Sequence, residues 1–152
     1  MRGLVSLAAS VLLLLAAVPA CASSLDDKIP DQQSIDALQA RIRNAQPREL
    51  SFLYAQLMHE MTEFSLRQYS AGNIEQADGL LRQVEQITHK IHLSVDGDDK
   101  RLKNAEILLR HTAFRLNEML HSSSSDDSQL VAETLAQVNR LDTEAMLSVF
   151  KK

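Results

Sequence analysis

Apolar side chains recur every three or four residues through five stretches of this chain, and the first four are each closed by a proline, a glycine or a serine run. A helix of 3.6 residues per turn gathers such positions into one stripe, which must be buried against another element. A strand would need alternation at period two, and no run of β-branched or aromatic residues alternates in that way. Strand formers are scarce: aromatic residues make up 4% of the chain and Trp is absent. The residues that dominate, Leu, Ala, Gln, Glu and Arg, are helix formers. The expected class is all-α.

The first stretch is short. Ser34 reads as its N-cap, Ile35, Leu38 and Ile42 as its buried face, and Pro47 as its stop. Pro47 also suits the first turn of a second helix, which carries Leu50, Leu53, Tyr54, Leu57, Met61, Phe64 and Leu66 before Ala71 and Gly72, the glycine marking its end. Asn73 with Gln76 has capping-box spacing. It opens a third helix with Ala77, Leu80, Leu81, Val84, Ile87 and Ile91. Asp96, Gly97, Asp98 and Asp99 break that helix and cap a fourth over 99–121. Its stripe is broad: Leu102, Ala105, Ile107, Leu108, Leu109, Ala113, Leu116, Met119 and Leu120. After the loop formed by Ser122 to Ser125, Asp126 and Asp127, a last helix over 128–150 bears a narrow seam of Val131, Leu135, Val138, Leu141, Ala145 and Val149. These steps of three and four resemble a coiled-coil seam, packed within the bundle or offered to a second chain in self-association.

Four long helices joined by short loops run antiparallel to their sequence neighbours, so the expected architecture is an antiparallel four-helix bundle with a short extra N-terminal helix laid across it. The alternative is a stack of tetratricopeptide-like helical hairpins. Tyr69-Ser70-Ala71-Gly72-Asn73-Ile74-Glu75-Gln76-Ala77 is similar to the turn of a tetratricopeptide repeat, but the likeness covers one hairpin and no second copy follows at a period of about 34.

Ahead of the helices stand Arg2, an apolar run from Leu4 to Val18, and the small-residue junction Val18-Pro19-Ala20-Cys21-Ala22-Ser23, the three parts of a secretory leader. The run of about fifteen residues falls short of the roughly 20 that span a bilayer core, and no transmembrane segment is expected in the mature chain. Two cleavages fit. Cutting after Ala22 removes Cys21, the only cysteine, and gives a periplasmic or secreted protein. Cutting before Cys21 follows a lipoprotein box, with Pro19 out of pattern, and leaves an outer-membrane protein anchored by a lipid on Cys21. In neither case can a disulfide form within the chain. The expected division is a signal peptide at 1–22, a flexible tether at 23–33 containing Pro30, and a helical bundle domain at 34–152.

Removing Arg2 with the leader leaves 15 basic against 20 acidic residues, a net charge of −5. The basic residues stand singly among acidic ones, so nucleic acid is not an expected partner.

Metal or acid–base chemistry would draw on His and carboxylate pairs one turn apart: His59 with Glu63, Glu85 with His89, His89 with His92, and Glu118 with His121. Glu118 and His121 have the spacing used by di-iron bundles, which require it twice with two further inward glutamates; no second copy is present. His59-Glu60 is followed by Glu63 where a zincin needs its second histidine. His111 interrupts the fourth stripe and reads as a half-buried histidine at the core margin. There is no haem-attachment motif, Gly-rich phosphate loop or nucleophile elbow. No catalytic residue or cofactor is assigned, and an enzyme is not expected.

The stretch from Arg101 to Leu116, RLKNAEILLRHTAFRL, resembles small exported helical proteins of acidobacteria. The resemblance implies an exported all-helical protein and carries no activity. Its cationic face, Arg101, Lys103, Arg110 and Arg115, reads as solvated, with Glu106 paired to Arg110. These features favour a non-catalytic interaction module of the cell envelope that binds another protein. A metal- or small-ligand-binding bundle is the second reading. A periplasmic chaperone-like protein is the third, and it lacks the Leu-Thr-x-x-Gln repeat of the small stress proteins of that compartment.

Overall fold

The computed structural model of the chain describes residues 29–91, 99–123 and 128–150. They form five helices and no strand: α1 (Gln32–Arg43), α2 (Pro47–Ser70), α3 (Ile74–Thr88), α4 (Asp99–Ser122) and α5 (Ser128–Phe150). The stretch expected to be a leader, with Cys21, the part of the expected tether up to residue 28, residues 92–98 with His92 and Gly97, and residues 124–127 lie outside the described residues. No described helix is long and apolar enough to cross a membrane.

Local chemistry sets the helix ends. Asp31, rather than Ser34, caps α1: its carboxylate accepts from the Ser34 N–H at 2.7 Å, and Ser34 Oγ accepts from the Asp31 N–H at 3.1 Å. This reciprocal box moves the helix start ahead of Ser34 and makes Gln32 and Gln33 helical instead of tether. Pro47 occupies the first turn of α2, where its missing N–H costs nothing. At the other end, the Gly72 N–H donates to the Tyr69 carbonyl at 3.0 Å and the Asn73 N–H to the Gln68 carbonyl at 2.9 Å. These two bonds form a Schellman motif, and Gly72 takes φ 82° to make them. The expected Asn73–Gln76 box is not formed: Asn73 makes no side-chain cap bond, and its amide donates to Gln68 Oε1 at 2.8 Å instead.

The helices make a bundle with the short α1 laid on α2. Along the chain they alternate in direction, as expected from short connections, but their spatial order is not the chain order. α2 packs on α3 and α4, and α5 packs on α3 and α4, whereas the α3 and α4 backbones are not neighbours. Around the bundle the order is therefore α2, α3, α5, α4. Glu49 pairs with Arg101 and Glu63 with Arg115, so α2 and α4 advance together and lie parallel. Two antiparallel hairpins, α2–α3 and α4–α5, thus stand side by side. The α2–α3 hairpin is tied by the buried Ser65 hydroxyl, which donates to the Ala77 carbonyl at 2.9 Å.

The core is aliphatic and methionine-rich. Leu53, Met58, Met61, Leu81, Val84, Leu109, Leu116, Met119, Val131 and Val138 are all buried, the flexible thioethers filling space that branched side chains leave. Most expected stripe positions are buried or at the core margin. The α5 seam, through Val131, Val138, Leu141 and Ala145, is buried inside this chain. Three expectations for α4 are corrected. Ile107 is 41% exposed, His111 is exposed, and Glu106 is buried. The reason is common to all three: α4 lies between α2 and α5, so its buried arc runs through positions 105, 106, 109, 112, 113 and 116 and turns 107 and 111 outward.

Candidate functional site

Because α2 and α4 are parallel neighbours, the outward edges of both helices face one groove. Its larger part, about 920 Å³, is floored by Phe52, Ile107 and Leu108, bordered by Gln56, His59, Glu60, Glu63 and Asn104, and closed at one end by Ile29, Pro30 and Ser34. A smaller part, about 560 Å³, continues from His59 and Glu63 to Arg110, His111, Phe114 and Arg115. Phe114 is 61% exposed and Ile29 64%. Large apolar side chains left this open on one face are more informative than a scattered exposed leucine.

The polar groups of the groove are held in place by one another. Arg115 donates to both oxygens of Glu63, at 2.5 and 3.2 Å, and also pairs with Glu118. Glu63 raises the Arg115 pKa further above its ordinary value. His59 is half-buried, and desolvation is the largest influence holding its imidazole below the usual histidine range; the Glu63 carboxylate opposes this and His111 reinforces it. Folding therefore favours the neutral form of His59. Its Nδ1 lies 3.4 Å from Thr112 Oγ1, whose own proton is given to the Leu108 carbonyl at 2.8 Å.

The residues singled out from the sequence fall in separate places. His59 and Glu63 line both parts of the groove, and Arg115 links Glu63 to Glu118 across the helix pair. His121, at the end of α4, is exposed with Nδ1 2.7 Å from the Asn117 carbonyl. Glu85 faces α5, where Gln137 Nε2 donates to it at 3.3 Å, and His89 is the exposed C-cap of α3. Among the described residues, no three His, Cys, Asp or Glu side chains are gathered about one point. The cationic face of α4 is largely neutralised: Arg101 donates to Glu49 at 2.6 Å, pulling that carboxyl below its usual range, and Arg110 pairs with Glu106.

Sequence reasoning did not find Phe52 or Phe114 as groove residues, nor the buried Thr112 behind His59. Phe114 carried a usable signal, since an aromatic residue set seven positions after Ile107 repeats its place on the helix. No protein-family model, curated protein or solved structure matches the chain.

Proposed function

We propose that this protein is a non-catalytic interaction module of the cell envelope, exported by its leader, which binds another protein along the α2/α4 groove. The observation that carries this reading is the exposure of Ile107 and Phe114 on a helix whose other large apolar side chains are buried or half-buried. Exposed aromatic and aliphatic anchors beside a polar rim are how protein contacts are built. The polar groups argue in the same direction. Glu63, Arg115 and Glu118 are occupied with each other, and the Thr112 hydroxyl beside His59 is committed to a backbone carbonyl, so no activated nucleophile is prepared there. Self-association through residues 128–150 would use Met146, Leu147 and Phe150, exposed at the end of α5, because the seam itself is covered.

The test places a photo-crosslinking side chain at position 114 of the protein in its native envelope, with position 129 on the outer face of α5 as control. A discrete adduct at 114, lost on Ile107→Ser and absent at 129, is the expected result. An adduct at twice the chain mass would make a second copy the partner. Equal labelling at the two positions, or none at 114, would remove the reading.

A further inference from the structure

The parallel packing of α2 and α4 brings together two histidines that lie far apart in the chain. The His59 and His111 rings have centroids 6.3 Å apart and planes inclined by 58°. The geometry points to a site for one divalent transition-metal ion of the zinc, nickel or copper type, held by His59, His111 and Glu63.

Three features of the structure support the site. The first concerns the ligating atom of His59. Thr112 gives its proton to Leu108, which leaves its oxygen able to accept one from the His59 Nδ1, 3.4 Å away. A neutral imidazole with its proton on Nδ1 presents the Nε2 lone pair, and a hydrogen bond from the other nitrogen is the usual support of a ligating histidine. The second is reach. With N–metal bonds of about 2.0–2.1 Å, two imidazoles on a tetrahedral ion have ring centres roughly 5 Å apart. His111 is exposed and can close the remaining distance by turning about its own side-chain bonds.

The third feature is the carboxylate. Glu63 stands one turn beyond His59 on the same face of α2 and is held by Arg115, which also pairs with Glu118. Glu63 can therefore swing to an ion while Arg115 keeps a carboxylate partner. Before that swing the three donors are not assembled, and only the two rings lie near one another; after it, two imidazoles and a carboxylate form a donor set suited to zinc, nickel or copper rather than magnesium or calcium. The site lies in the same groove as the proposed protein contact, but its donors are distinct from the Ile107 and Phe114 anchors.

The test is titration of the full, untagged chain with Zn²⁺ and Ni²⁺, following heat of binding and melting temperature. One ion per chain and a melting temperature that rises with metal concentration are expected, because a ligand that binds the native state stabilises it. His111→Gln, a change at an exposed position, should abolish both signals, and His59→Gln should do the same. Losing even an outer-shell partner costs roughly 10- to 100-fold in metal affinity, so Glu63→Gln should weaken binding at least about tenfold. His89→Gln and His121→Gln should bind as the parent does. No saturable binding, binding that survives His111→Gln, or binding lost in His89→Gln would each overturn the site.

Discussion

Asp142 on α5 faces Glu106 and Arg110 on α4, and among the described residues its Oδ1 is buried without a hydrogen-bond partner. Desolvation, more than the neighbouring Glu106 charge, pushes its carboxyl above the ordinary aspartate range, while Arg110 opposes the shift. A group whose pKa is raised by folding adds stability below its unfolded value, near 3.9, and that contribution is lost as pH rises through the folded value. Asp142→Asn should therefore raise the melting temperature at pH 7. The gain is about 0.5 kcal/mol, kept small because solvent reaches this half-buried side chain. Melts of both proteins from pH 3 to pH 8 should show the difference shrinking towards acid; a constant difference would contradict the account. The pairing of Glu106 with Arg110 was legible from their four-residue spacing. The burial of Glu106 and its meeting with Asp142 were not, since both depend on which side of α4 receives α5.

At the scale of the element, the turn between α2 and α3 rests on one backbone conformation. Gly72 has φ 82°, and a methyl group built there would meet nothing within 4 Å. The cost of Gly72→Ala is then purely conformational, about 1 kcal/mol. Gly72→Asn should lose less, because asparagine enters the left-handed region more readily; urea unfolding of the three proteins would rank them. Pro47 and Gly72 were readable because their effects are confined to their own backbone. The polar caps were not. Asp31 and Ser34 can each start a helix, and the reciprocal bond between them decided for Asp31. Asn73 had suitable spacing, but the Schellman turn holds it at φ −87°, ψ 61°, and its side chain turns to Gln68.

For the whole molecule, the contrast between covered and uncovered positions on α4 predicts two very different mutational costs. Leu116 is fully buried at the centre of the bundle, and Leu116→Ala should cost roughly 3 kcal/mol through lost burial and the cavity left behind. Phe114, two residues earlier, should tolerate Phe114→Ala within about 0.5 kcal/mol. Denaturant midpoints measured on both variants would separate them, and a comparable loss at Phe114 would mean that the groove is closed within the chain. The sequence by itself determined the helical class, the approximate reach of each helix, the alternation of direction and most of the core, because 3.6-residue periodicity and backbone punctuation are local properties. It also supplied the His59–Glu63 pair, which one helix suffices to align. Only the tertiary structure decided that α4 stands beside α2 rather than α3, because a connection of this length lets either neighbour be reached and only side-chain packing selects between them. That choice turned Ile107 and Phe114 into the wall of a groove and set His111 against His59.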